Sequence, residues 1–327
     1  MAGWPVACVP RADGAMIGRM QDSMPSRTAI ATSLMRASHT RCDPHRIFTD
    51  DWGDRLVPSH VRERIAQAVR ADSRPPPPPG ASVDELIHLW ARHNPAYANV
   101  ITRSRYAEDR LHEAVARGVR QYVLVGAGFD SYSLRRPAEG QDLRIFEVDH
   151  RATQSFKLER IAACGAAVSD AVTFTTADLS SESLADALGR SGFEFGRATL
   201  FSWLGVTVYL TREANFAALA GMARCSAPGS ELVFTYADQR VFESDPRAGG
   251  QFARMQKEVT AIGEPFLSGF APQTLARDLA SVGFELLEDR GDDELLARYD
   301  PRGVNGLRAG GYGRIAHARA MGSGVKT

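Results

Sequence analysis

Little in this chain points to a disulfide framework, a metal clip or a membrane. Its 327 residues include four cysteines, Cys8, Cys42, Cys164 and Cys225, spaced too widely for a CxxC zinc or redox motif. A reduced, cytoplasmic protein is the simple reading, and no cluster of ligand residues predicts a metal. No apolar run approaches the roughly 20 residues that span a bilayer. Met1 to Pro10 is mildly apolar but lacks a basic start and meets Arg11 and Asp13 at once, so no signal peptide is expected. Neither sign of charge is in excess, with Lys plus Arg and Asp plus Glu at 39 each. That argues against a nucleic-acid binder relying on a broad basic surface. No internal repeat is visible.

What is present is ordinary for a globular protein: 44% hydrophobic and 24% charged residues, in a chain long enough to bury a large core. Residues 1–25 lack a clear period and read as a loose tail. Residues 26–118 read as a helical cap. Ser26 caps a first helix carrying Ile30, Leu34 and Met35. His60 to Ala71 reads as a second, and the Ser82/Glu85 capping box opens a third through Trp90. A fourth runs from about Asn94 to Arg117 and stops at Gly118. Five prolines within the loop 74–80 exclude regular structure there and suggest a stiff surface spacer. Residues 119–327 then alternate. Strands are expected at Gln121–Val125, Arg144–Val148, Val172–Thr176, Thr199–Trp203 and Glu231–Tyr236. Helices are expected at Gln154–Cys164, Ser183–Gly192, Arg212–Cys225 and Pro272–Val282. This is the pattern of an α/β parallel sheet covered on both faces, with Phe284–Asp289 and Gly313–Ala320 as closing antiparallel strands.

Open parallel sheets bind ligands at the carboxyl ends of their strands. The first strand exits through Val125-Gly126-Ala127-Gly128-Phe129-Asp130-Ser131. Gly126 and Gly128 allow a tight turn and close backbone approach to a ligand. A dinucleotide fingerprint needs glycine or alanine where Ser131 stands. Asp130 would repel a pyrophosphate, yet suits a cofactor bearing an ammonium and a sulfonium. The second strand ends at Asp149, placed to accept from ribose hydroxyls, with Glu147 two residues earlier on the same face. The third is followed by Asp178 and Leu179, a carboxylate for an adenine amino group and an apolar side chain for its ring. In the fourth, Trp203 can wall the cofactor pocket. Beyond it Tyr209 can orient an acceptor.

Together these residues resemble the leucine carboxyl methyltransferase-like O-methyltransferases, including bacterial members linked to polyketide tailoring. The resemblance runs from about Ser26 to Ala320. It is carried by Arg36-Ala37, Arg103 through Asp109, Gln121 to Arg135 (family pattern QxVxLGAGxDTRxxR), Phe146 to Asp149 with Lys157, Asp178-Leu179, and Gly205 to Leu210. Gly263 to Phe266, Gly269 to Pro272 and Arg298-Tyr299 also fit. It implies the class I methyltransferase fold, a Rossmann-like, mostly parallel seven-stranded sheet, and S-adenosyl-L-methionine as cofactor. It implies that Arg103 meets the methionine carboxylate as a charge-assisted pair, with adenosine contacts from Asp149 and Asp178. Two positions depart from the pattern: Tyr132 replaces an arginine, and Leu204 replaces the acid of the EGxxxYL motif.

The expected reaction is methyl transfer to a carboxyl or hydroxyl of a small hydrophobic metabolite. Alternatives are a NAD(P)-dependent oxidoreductase, or a protein that binds the cofactor without catalysis. A hydroxyl acceptor calls for a base, for which His88, His93, His112, His150, Tyr209 and Tyr236 are candidates. The acceptor pocket is expected between the N-terminal helices and a lid insertion at about 237–271, rich in Phe242, Phe252, Met255, Phe266 and Phe270.

Overall fold

A computed structural model of the chain describes residues 25–136, 142–179, 181–243, 251–261 and 263–321. The expected tail at 1–25 thus lies almost wholly outside the described residues.

The cap is built from α1 (Arg27–Cys42), α2 (Ser59–Asp72), α3 (Val83–His93) and α4 (Tyr97–Ala116). Ser26 caps α1 as its sequence suggests, its Oγ accepting from the Ala29 amide at 3.1 Å. The Ser82/Glu85 box opens α3, and α4 ends just before Gly118, whose φ of 102° suits a residue without Cβ. Most of α1 is buried because it is packed on more than one side. Ile30, Leu34, Ile65, Leu86 and Trp90 share one apolar cluster with Phe129 and Ile161 of the following domain, so cap and core are continuous.

The core alternates as expected: β1 (Gln121–Val125), α5 (Tyr132–Arg135), β2 (Arg144–Asp149), α6 (Arg151–Ala163), β3 (Val172–Thr176), α7 (Leu184–Gly189), β4 (Thr199–Trp203), α8 (Arg212–Arg224) and β5 (Glu231–Ala237). The sheet order is β3-β2-β1-β4-β5-β7-β6, with β6 (Phe284–Gly291) and β7 (Gly313–Ala320) last in the chain. The first five strands pair in parallel, and β7 runs antiparallel between β5 and β6. This is the class I methyltransferase sheet. Strand order reverses at β1, which opens a crevice at the carboxyl ends of β1 and β4. Parallel strands covered on both faces are apolar throughout, and every residue of β1, β4 and β5 is buried.

Three further features complete the fold. The helix after the glycine loop, α5, is a single turn. The apolar run after Trp203 is not strand; it turns at Gly205, φ 71°, into a 3-10 helix at Thr207–Tyr209. The lid contains α9 (Arg240–Glu243) and α10 (Gln251–Ala261), followed by α11 (Pro272–Ala280), while α12 (Asp292–Tyr299) separates β6 from β7. Among the described residues no helix is long and apolar enough to cross a membrane.

Candidate functional site

The loop from β1 is held by its own surroundings. Gly126 and Gly128 have φ of 68° and 51°, the left-handed region that glycine occupies cheaply. A Cβ on Gly126 would lie 2.5 Å from Val206 Cγ2, and one on Gly128 would lie 3.2 Å from the Ala29 Cβ of α1. The close approach foreseen for a ligand is therefore made by Val206 and by the roof helix α1. Asp149 secures the loop from the next strand. Its Oδ2 accepts from the Gly128 amide and its Oδ1 from the His150 amide at 2.6 Å. Two lone-pair positions of the four remain for hydroxyls, and burial pushes this carboxyl above its usual range. Asp130 is turned back on the chain, its Oδ1 accepting from Tyr132 N at 2.7 Å. It thus takes the first amide of α5, which is not left for a ligand.

A residue that no motif announced fixes this loop from below. Asp50 is fully buried and pairs with Arg36 at 2.9 Å and Arg135 at 3.8 Å. It also accepts from Ser131 Oγ at 2.7 Å and from the Trp52 and Gly53 amides. Arg36 in turn donates to the Phe129 carbonyl at 2.6 Å. Burial works against ionising Asp50, but Arg36 and Arg135 outweigh it and hold the carboxyl below its usual range.

Across the crevice, Arg103 of α4 reaches a pocket of about 760 Å³ of non-atom space, part of it open to solvent. Its Nη1 donates to Asn99 Oδ1 at 3.1 Å. Gly205 lies so close that a Cβ there would be 2.7 Å from Nη2. Among the described residues Arg103 forms no ion pair, and burial pulls its pKa down. A half-buried cation without a direct carboxylate partner is costly and suits an anionic ligand group. Met35, Val100, Val208, Phe252, Met255, Val259 and Phe266 supply apolar walls, so the pocket lies between the N-terminal helices and the segment 237–271. Phe270 is instead in the main core, and Phe242 packs behind the lid. Tyr209 lines the pocket and its ring lies 5.4 Å from that of Phe266. Burial raises its phenol above the ordinary value, and the Glu264 carboxylate pushes the same way. Glu264 accepts from the Arg27 and Thr28 amides and the Thr28 hydroxyl, which ties the lid to the positive end of α1.

The other predicted residues divide. Asp178 is exposed at the end of β3, and Leu179 packs partly on the core. Two expectations need correcting. Glu147 does not open to the crevice; it is 1% exposed and pairs at 2.5 Å with Lys157 of α6, because strand alternation carries it under the helix. Trp203 does not wall the pocket; it is fully buried against Phe234 in the core, its indole N–H without a partner. None of His88, His93, His112 and His150 lines the pocket. His88 bonds Ser38 Oγ at 2.9 Å, and His150 caps α6. The two departures meet in one place. Leu204 packs on the apolar cluster that contains Tyr132, so neither position offers a charge to the site.

Behind Arg103 lies Asp292, 3% exposed. Burial raises its carboxyl to about 6. An acid raised in the folded state makes folding bind a proton between its unfolded and folded values, so its contribution to stability falls as pH rises from about 4 to about 6. Asp292→Asn removes that titration. The variant should gain on the wild type across this window by roughly 3 kcal/mol at most, measured as the difference in urea unfolding free energy at pH 4 and pH 6.5. A constant difference would mean that Asp292 ionises normally.

Known proteins similar to this chain place it in a family. A family model described as leucine carboxyl methyltransferase matches residues 29–223, more than half of the chain. A Bacillus subtilis protein provisionally named an S-adenosyl-L-methionine-dependent methyltransferase is 29% identical over 280 residues, covering 84% of this chain and 91% of that one. A Parafrankia protein of the same provisional name is 35% identical over 208 residues, covering 63% of this chain and 61% of that one. A solved methyltransferase-like structure from Thermobifida fusca superposes with a TM-score of 0.47 at 18% identity, covering 78% of this chain and 93% of that one. With the family match spanning the cap, the glycine loop and β1 through α8, the chain belongs to the leucine carboxyl methyltransferase family.

Proposed function

We propose that this S-adenosyl-L-methionine-dependent methyltransferase esterifies the carboxylate of a small apolar acid. The transfer class and the cofactor follow from the family and its relatives. The acceptor class rests on one observation. Among the described residues that line the pocket there is no Asp, Glu, His, Lys or Cys; the ionisable groups are Arg103 and the tyrosines 209, 236 and 312. All three phenols are raised by burial, so none is a base at neutral pH. A carboxylate arrives already ionised and needs no base, whereas an alcohol would.

The residues fit the cofactor. Arg103 would take its carboxylate, Asp149 a ribose hydroxyl, and Asp178 with Leu179 the adenine. When bound, the cofactor would supply an activated methyl for an acceptor oxygen, the electron pair of the broken carbon–sulfur bond remaining on sulfur. The protein's part is alignment and exclusion of water. Apolar walls leave the sulfonium as countercharge for an acceptor anion, and Tyr209, held protonated, donates to an acceptor oxygen.

The test is transfer of labelled methyl to matched sets of apolar monocarboxylic acids, primary alcohols and phenols. Transfer to the acids, giving base-labile esters, is the expected result. Transfer to alcohols or phenols alone would remove the carboxylate reading. Binding of NAD(P) without the adenosyl compounds would remove the methyltransferase itself. Any turnover excludes a purely binding role. Tyr209→Phe should raise the acceptor KM about tenfold, the value of one hydrogen bond to a charged group, with kcat within a few-fold. A collapse of kcat would mean that Tyr209 acts in the chemical step.

A further inference from the structure

Arg103 does not reach the pocket alone. Its Nη1 donates to Asn99 Oδ1 at 3.1 Å, and Asn99 Nδ2 donates to Asp292 Oδ1 at 2.7 Å. Asp292 Oδ2 accepts from the Gly313 amide at 3.1 Å. Asn99 and Arg103 are one turn apart on α4, Asp292 opens α12, and Gly313 opens β7. Asn99 is 6% exposed and Asp292 3%. The approach is tight: a Cβ on Gly313 would lie 2.5 Å from Asn99 Nδ2 and 2.6 Å from an Asp292 oxygen.

The chemistry of the chain leaves one orientation. A guanidinium only donates and an ionised carboxylate only accepts. The Asn99 amide therefore turns its oxygen to Arg103 and its nitrogen to Asp292; the flipped amide would face a donor with a donor and an acceptor with an acceptor. Asp292 supplies negative charge one residue removed. A direct ion pair would occupy the guanidinium face, whereas this relay orients Arg103 and leaves its other N–H groups to the pocket.

We infer that Asn99 and Asp292 are positioning residues that aim the Arg103 guanidinium at the carboxylate of the cofactor's amino-acid tail. This rests on the role assigned to Arg103 above. It is distinct from a packing role because the relay acts on one ligand group only, and ligands with and without that group separate the two.

The experiment titrates S-adenosylhomocysteine and 5′-methylthioadenosine, which lacks the amino-acid tail, into the wild type, Asp292→Asn, Asn99→Leu and Arg103→Leu. Asp292→Asn presents an amide that can face Asn99 with a donor, and Asn99→Leu cuts the relay; the second variant keeps the test open should the first fail to fold. Each should weaken S-adenosylhomocysteine about tenfold, one hydrogen bond to a charged group, and leave 5′-methylthioadenosine within twofold. Adding Asp292→Asn to Arg103→Leu should cost nothing more, since both act on the same contact. Equal losses for both ligands, or full additivity with Arg103→Leu, would overturn the inference in favour of packing. Unchanged affinity in Asp292→Asn and Asn99→Leu, with a loss in Arg103→Leu, overturns it while the Arg103 role stands. Unchanged affinity in Arg103→Leu removes that role, and with it the inference. A wild type that binds neither compound removes the function proposed above.

Discussion

Replacing Arg103 by leucine should weaken S-adenosylhomocysteine about a hundredfold, the usual cost of truncating one partner of a buried charge pair. 5′-Methylthioadenosine should bind as before. The ligand-free variant should not lose stability, because Arg103 is a guanidinium that burial disfavours and that no carboxylate pairs directly among the described residues, Asp292 acting only through Asn99. Leucine removes that desolvation cost and suits the neighbouring Val100 and Phe252. Binding energy and folding energy thus oppose each other at this residue, as is common where a site is built for a ligand. Thermal unfolding without ligand, beside the two titrations, checks both halves. A large fall in melting temperature together with unchanged affinity would show that Arg103 is a structural cation.

Asp50→Ala should act in the opposite sense. The carboxylate lies under Arg36, Arg135 and Ser131, so its removal leaves the buried Arg36 guanidinium without a carboxylate and Arg135 with Glu108 alone. Breaking such a pair costs about 3–5 kcal/mol, on the order of 10 °C in melting temperature for a domain of this size. The effect has a definite pH dependence. The folded-state carboxyl of Asp50 is depressed, so its contribution is present above the unfolded value of about 4 and is lost as pH falls through the folded one. The deficit of the variant should therefore be full at neutral pH and shrink in acid. A deficit equally large at pH 3 would mean that Asp50 acts through packing. Arg36 also holds the Phe129 carbonyl, so cofactor affinity should fall with stability, whereas in Arg103→Leu the two separate.

These two residues also mark what could be read from the sequence. Arg103 was legible because it stands in a run that resembles the family, and the parallel strands were legible because apolar runs such as Tyr122–Val125 lie between glycines and charges. Asp149 was legible from its place at a strand end. Asp50 was not, since it lies in an irregular segment between α1 and α2 where no period or motif marks an acid. The Asn99–Asp292 contact was hidden by separation; they are 193 positions apart, and neither neighbourhood signals the other. Glu147 misled because alternation fixes the face of a strand but does not say what covers that face, here Lys157. The turn after Trp203 was not legible either. Apolar residues continue through Tyr209, but the positive φ at Gly205 ends the strand and wraps the chain around Arg103.

The place of β7 has a consequence for the order in which the molecule can be completed during synthesis. β5 and β6 do not pair with each other; each is joined to β7, which emerges after both. Until residues 313–320 leave the ribosome, β5 ends the sheet as a bare apolar edge, open to wrong partners. The amide of Gly313 that holds Asp292 arrives with the same strand. The grip on Arg103, a residue of α4, is therefore finished only by a strand made after β6.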